Sequence, residues 1–270
     1  MFLLPQSSMR PGALCAACHG LAARPQNGPF LLPDLRSIKA ALARMRPLLS
    51  IVIPVLNESV HVAQALRGLA VLRQQGHEVI VCDGGSTDDT VARCAGLVDL
   101  VLRAPPGRAR QMNAGAAVAR GEVLLFLHVD TALPADAPAA IAQALARAAA
   151  WGRFDVRIDG RSRLLPVVAA FMNWRSRWSG IATGDQALFI RRDLFDTLGG
   201  FADQPLMEDI ELSRRLLRRG HAPACLRQRV TTSGRRWDEH GAWRTIVLMW
   251  RLRWLYWRGT PAEALARLYR

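Results

Sequence analysis

Glu78-Val-Ile-Val-Cys-Asp83-Gly-Gly-Ser-Thr-Asp-Asp-Thr90 and, further along, Gly121-Glu-Val-Leu-Leu-Phe-Leu-His-Val-Asp130-Thr131 are two apolar runs that each end on a carboxylate. Continuous Val, Ile and Leu without polar alternation is the pattern of a strand buried on both faces, as in a sheet covered by helices. In open α/β sheets ligands bind beyond the carboxyl ends of the strands, so Asp83 and Asp130 are expected at one crevice suited to a nucleotide and its metal ion.

Outward from these runs the pattern stays regular. Residues 50–55, 78–82, 97–102 and 122–127 read as strands, and 58–73, 88–95 and 108–119 as helices. Alternation of this kind predicts a Rossmann-like, mostly parallel central sheet with flanking helices, its crevice shared by Asn57, Glu58, Asp83 and Asp130. The 270 residues, 50% of them apolar, suffice for one sizeable core. The expected division is an N-terminal extension over 1–48, a catalytic domain over 49–237 and amphipathic helices over 238–270.

The net charge of +14 is carried almost wholly by arginine, Lys39 being the single lysine. It favours anionic partners, a nucleoside diphosphate or an acidic membrane surface. A nucleic-acid partner is not expected, because no reading motif and no aromatic-basic platform is present. The five cysteines are odd in number and irregularly spaced, and the N-terminus lacks a basic start followed by an apolar stretch, so a reducing, cytoplasmic setting is expected. No uncharged apolar stretch reaches the roughly 18 residues of a spanning helix. Cys15-Ala-Ala-Cys18-His19 spells a c-type haem attachment site. Such attachment requires export and an enclosing fold, and little chain precedes Ser50, so a remnant or disordered extension is the expectation.

Ile51-Val-Ile-Pro54-Val-Leu-Asn57-Glu58, Val81-Cys-Asp83-Gly-Gly, Gly107-Arg108-Ala-Arg110-Gln111-Met-Asn113-Ala-Gly and Phe126-Leu-His128-Val-Asp130 together resemble family 2 glycosyltransferases of the GT-A fold. The resemblance runs from Ser50 to about Trp237. It implies that Pro54, Asn57, Glu58 and Asp83 hold the nucleoside of a nucleotide-sugar, and that Asp130 is the last residue of a metal-binding Asp-x-Asp motif. His128 replaces the first acid of that motif. Imidazole ligates Mn²⁺ but is a poor partner for Mg²⁺, so the implied cofactor is a divalent ion whose identity, Mn²⁺ or Mg²⁺, stays open. The residues themselves also allow Asp83 to close an Asx-turn into Gly84-Gly85, with Thr87 or Asp88 capping a helix. Arg108 and Asn113 stand where a helix start meets phosphate, or on a solvated basic face.

In the second half, Glu208-Asp209 opens a helix expected to run to Arg219. A carboxylate there is favoured as the anion by the helix dipole and can accept a proton from an acceptor hydroxyl; plain dipole complementation is the competing reading, and the one expected of Glu211. The resemblance implies Asp209 as general base with Glu208 as its rival, Gly184 and Asp185 in the acceptor pocket, and Arg235-Arg236-Trp237 against acceptor or diphosphate. A surface Arg-Trp stack explains the last group equally well. The implied reaction is a single displacement with inversion, from a nucleotide-sugar (UDP-sugar favoured) to a small-molecule or lipid hydroxyl. A non-catalytic nucleotide-sugar binder and a nucleotidyltransferase are the alternatives, the latter opposed by the lack of a Gly-rich phosphate loop after the first strand.

Trp243, Val247, Trp250, Trp254 and Trp257 fall on one helical stripe flanked by arginines, as in a helix lying in a bilayer interface at the inner face of the cell membrane. Packing of the same stripe on the domain or on a second copy is the competing expectation.

Overall fold

A computed structural model describes residues 49–269; the 1–48 extension, with Cys15, Cys18 and His19, lies outside the described residues. The chain runs β1 (Leu49–Val55), α1 (Val62–Arg67), α2 (Ala70–Gln74), β2 (Glu78–Asp83), β3 (Leu100–Arg103), α3 (Arg108–Val118), β4 (Val123–Phe126), β5 (Thr131–Ala132) and α4 (Ala137–Ala146). It continues with β6 (Trp151–Asp159), α5 (Leu165–Ser179), β7 (Leu188–Arg191), α6 (Arg192–Leu198), α7 (Glu208–Arg218), β8 (Ala224–Ser233), α8 (Arg235–His240), α9 (Ala242–Trp257) and α10 (Ala262–Tyr269).

One sheet of eight strands forms in the order β3-β2-β1-β4-β7-β6-β8-β5. β3, β2, β1 and β4 are parallel throughout, which fulfils the reading of the first half. β7 joins antiparallel to β4 and to β6, whereas β6 and β8 run parallel. The strands are buried on both faces because successive side chains serve two cores. Ile51, Ile53, Val79, Val81, Val123 and Leu125 share one core with α1, α4 and α5. Val52, Ile80, Cys82, Leu124 and Phe126 share the other with α3, α6 and α7.

Close approach of α3 to the sheet rests on Gly115, where a Cβ would lie 2.5 Å from both Cys82 Sγ and Val52 Cγ1. At the opposite strand ends, buried Glu78 accepts hydrogen bonds from the Ser50 hydroxyl and from the backbone and guanidinium of Arg120 at 2.8 and 2.7 Å. Gly121 N–H in turn donates to Ser50 Oγ at 2.8 Å, so one carboxylate ties β1, β2 and the start of β4 together.

Two helical expectations need correction. The helix read over 58–73 is two short helices, α1 and α2, interrupted at Gly68 and Leu69. That read over 88–95 is a single 3₁₀ turn, Ala92–Cys94. Asp88 there accepts from Thr90 N–H at 3.0 Å and Ser59 N–H at 3.1 Å, the local side-chain bonding that competes with helix.

Candidate active site

β4 delivers its chain into Leu127-His128-Val129-Asp130, and the carboxyl end of β8 runs alongside. Ser233 N–H donates to the Asp130 carbonyl at 3.0 Å, and Thr131 and Thr232 hydroxyls bond at 3.0 Å, fixing the backbone on which Asp130 sits. Among the described residues the Asp130 carboxylate has only Thr131 Oγ at 3.4 Å as a side-chain partner, and it borders a cavity of about 270 Å³. The same cavity is lined by Glu208 and Asp209, at the first turn of α7 after Met207, which takes a left-handed φ of 68°. That conformation is uncommon for a side chain of this size and is held by the surrounding structure.

Asp209 is clamped by backbone amides: Gly184 N–H donates to one carboxylate oxygen at 2.8 Å and Ile210 N–H to the other at 2.7 Å. Below it, Ser213 Oγ bonds the Asp209 carbonyl at 2.8 Å and accepts from Ala182 N–H at 3.1 Å, so the 182–186 loop and α7 form one unit. Gln186 Oε1 closes that loop by accepting from Thr183 N–H at 3.2 Å. Glu211 is occupied structurally, pairing with Arg215 at 2.7 Å while Arg215 donates to the Leu198 and Gly200 carbonyls.

Charge in the cavity alternates. Burial pushes the Glu208 carboxyl up, and the neighbouring Asp209 adds to it. Burial works the same way on Asp185, but the hydrogen bond and charge of His128, then Arg108 and Arg253, outweigh it and hold Asp185 low. Arg108 sits among Glu208, Tyr269, Asp185 and Asp130, which raise its pKa against the cost of desolvation. Arg235 and Arg236, at the start of α8, line the same cavity beside Trp237, and Arg235 reaches Glu58 at 4.0 Å. A second cavity, about 540 Å³, shares Asp130, Thr232, Ser233 and Arg235 with the first.

His128 is engaged in place. Nδ1 lies 3.4 Å from Asp185 Oδ1, and the Cε1–Nε2 edge lies over Gly184, where a Cβ would come within 2.4 Å of the ring. Among the described residues no three His, Cys, Asp or Glu side chains gather into a metal cage. A hard divalent ion bound through one carboxylate and substrate phosphates needs none. Asp130 fits that role; His128 faces Asp185 through Nδ1 and turns its Cε1–Nε2 edge to Gly184.

Of the sequence-predicted residues, Asp130, His128, Gly184, Asp185, Glu208, Asp209, Arg108, Arg235, Arg236 and Trp237 line one cavity. The nucleoside set lies apart from it. Asp83 is buried and its carboxylate accepts from Gly85 N–H at 3.1 Å and Ser86 N–H at 3.0 Å, the Asx-turn reading. Asn57, with φ of 54°, accepts from Thr87 N–H at 2.9 Å. Pro54 is buried in β1. Asn113 spends its whole amide on the Phe201 backbone, donating and accepting at 2.9 Å. Gln111 rivets the carboxyl ends of β1 and β2, donating to the Val55 and Cys82 carbonyls at 2.7 Å. Arg253, Thr245 and Tyr269, from α9 and α10, also line the cavity. Of these, Arg253 alone had a signal in the sequence, as the arginine bordering one side of the aromatic stripe.

The family described as Glycosyl transferase family 2 matches residues 50–202. A probable glycosyltransferase, YdaM, of Bacillus subtilis is 27% identical over 200 residues, covering 65% of this chain, which spans about half (48%) of that relative's length. Among solved structures, the mannosyltransferase PcManGT from Pyrobaculum calidifontis, in complex with GDP-Man and Mn²⁺, superposes with a TM-score of 0.55 at 20% identity, over 77% of this chain and 61% of that one. Glucosyl-3-phosphoglycerate synthase from Mycobacterium tuberculosis, with Mn²⁺, UDP and phosphoglyceric acid, gives 0.51 at 20% identity over 74% and 73%.

Proposed function

The chain belongs to glycosyl transferase family 2, and on that premise we propose that it moves a sugar from a nucleoside diphosphate to an acceptor hydroxyl seated against Asp209, by single displacement with inversion. The observation that carries this is the Asp209 carboxylate, held by the Gly184 and Ile210 amides in a small cavity that Asp130 also lines. A carboxylate with its orientation fixed in this way is placed to take the acceptor proton as the acceptor oxygen attacks the anomeric carbon. Glu208, beside it in the first turn of α7, serves the cavity wall.

Asp130 would hold a divalent ion, which when bound would supply charge neutralisation for the leaving diphosphate. Arg108, among Glu208, Asp185 and Asp130, and Arg235, by Glu58, add cationic partners for the same phosphates. Asp185 orients His128, and both shape the sugar end through Gly184. Asn57, Glu58 and Asp83 form the neighbouring rim for the nucleoside, where Asp83 acts through the turn it closes into Gly85 and Ser86.

Helix α9, whose inner side lines the cavity, carries an aromatic outer face. Trp243, Val247, Trp250, Trp254 and Trp257 of α9 are all exposed, and Phe171, Trp174 and Trp178 of α5 extend the face, with Phe171 and Trp250 ring centroids 5.7 Å apart. Rings of this kind flanked by Arg244, Arg251 and Arg258 suit a bilayer headgroup layer, and no described helix is long and apolar enough to cross a membrane.

Thermal stabilisation by UDP-, GDP- and dTDP-sugars with and without Mn²⁺ tests the donor reading, since a ligand of the native state raises its Tm. A metal-dependent shift with one nucleotide, lost in Asp130→Ala, is expected. No shift with any donor would overturn it.

A further inference from the structure

Arg236, which the resemblance sets against acceptor or diphosphate, has another partner in the structure. Its guanidinium carbon lies 3.7 Å from the centroid of the Tyr269 ring, and its Nη2 donates to the Tyr269 carbonyl at 2.8 Å. A guanidinium that stacks on a ring and bonds the backbone of the same residue fixes both the side chain and the chain position. Arg236 opens α8 and Tyr269 ends α10, and both line the cavity that holds Asp209. The contact therefore closes one edge of that cavity.

The wall to which Tyr269 belongs is seated apart from the sheet. Gly259, with φ of 88°, turns the chain between α9 and α10. The two helices rest on the start of α7 through a cluster whose buried members are Met207, Ile210, Leu252 and Leu265, separate from both cores of the sheet. Met207 and Ile210 bracket Glu208 and Asp209, so the seat of the wall adjoins the candidate base. A cluster this small holds an element less firmly than a main core, and single polar contacts then weigh more in its position. Gln204 Nε2 reaches the Tyr256 hydroxyl at 3.4 Å and the Arg214 guanidinium lies 5.0 Å from the same ring, both longer than the contacts that Arg236 makes.

We infer that Arg236 is a positioning residue, which clamps Tyr269 of α10 as a wall of the reaction cavity and so keeps water from taking the acceptor's place at Asp209. The clamp follows from the geometry of Arg236 and Tyr269; the exclusion of water rests on the proposed transfer reaction. Water admitted to the cavity would react as the acceptor does. Its oxygen would bond the anomeric carbon, its proton would pass to Asp209, and the bond from that carbon to the nucleoside diphosphate would break, releasing free sugar.

Two measurements on the full chain test this. Hydrogen exchange of the α10 backbone needs no donor. In Arg236→Met it is expected to quicken roughly tenfold, the usual worth of one ring stack with one hydrogen bond from a charged group. Exchange in β1 and β4 is expected to stay at the wild-type rate, which certifies folding. The second measurement is release of nucleoside diphosphate without acceptor, from the nucleotide-sugar that stabilises the chain with Mn²⁺. Arg236→Met and Tyr269→Ala are each expected to raise it roughly tenfold on the same reckoning, and Tyr269→Phe, which keeps the ring, to hold it at the wild-type level. A merely structural role would lower release together with transfer. Unchanged α10 exchange in Arg236→Met overturns the clamp. Faster exchange with release unchanged or lowered in Arg236→Met and Tyr269→Ala overturns the exclusion of water. Faster exchange in a chain that no nucleotide-sugar stabilises upholds the clamp and overturns the donor reading, together with the exclusion of water built on it.

Discussion

Gly184 carries two duties that no side chain permits together. Its N–H orients Asp209, and its bare Cα leaves room for the His128 ring. Gly184→Ala is expected to push His128 off Asp185 and tilt the loop, lowering kcat on the order of a hundredfold with little change in Tm, because small misplacements of reacting groups are expensive; steady-state kinetics beside a melting curve checks this. Glu208 gives a second prediction. Its raised carboxyl means that the folded chain holds a proton the unfolded chain has released, so stability falls as pH rises from the ordinary glutamate range through the raised folded value. Glu208→Gln removes that titration, and its Tm is expected to stay level over the rise and exceed wild type at neutral pH. Residue identities at the site were largely legible: the carboxylates and arginines of the motifs converge on one cavity. Asn113 and His128 were not legible, because the groups they bind, the Phe201 backbone and Asp185, are distant in sequence and meet them only after folding.

At the scale of elements, the parallel strands were readable because each is apolar on both faces, and the antiparallel joining of β7 was not, because an apolar run carries no direction. The 58–73 helix was misread as continuous where Gly68 ends α1, and the 88–95 helix where Asp88 and Thr90 satisfy the backbone themselves. Two elements invite direct tests. Gly115→Ala forces a Cβ against Cys82 and Val52, so α3 must lift from the sheet at a cost of about 1–3 kcal/mol in a denaturant titration. At the far strand ends, burial opposes the Glu78 charge, but the hydrogen bonds of Ser50 and Arg120 outweigh it and depress its pKa. Its contribution is present above the unfolded pKa and is lost as pH falls through the folded one. Glu78→Gln should therefore destabilise the fold at neutral pH by about 1–3 kcal/mol and much less in acid.

Across the whole molecule, α9 joins two surfaces. Its outer face is an aromatic ribbon continued by α5, and its inner face supplies Thr245, Met249, Leu252 and Arg253 to the cavity. Co-sedimentation with anionic vesicles is expected for wild type and lost in Trp250→Ser/Trp254→Ser, whereas equal sedimentation of the two would remove the membrane from the picture. The aromatic stripe was visible in the sequence, but the partnership with α5 was not, since residues 171–178 and 243–257 are brought together only by the fold. The most direct measurement is sugar transfer by Asp209→Asn against wild type, with donor affinity measured in parallel. Turnover should fall by about 10²–10⁴ with donor binding retained, and a variant that transfers sugar at the wild-type rate would contradict Asp209 as the base and the mechanism built on it.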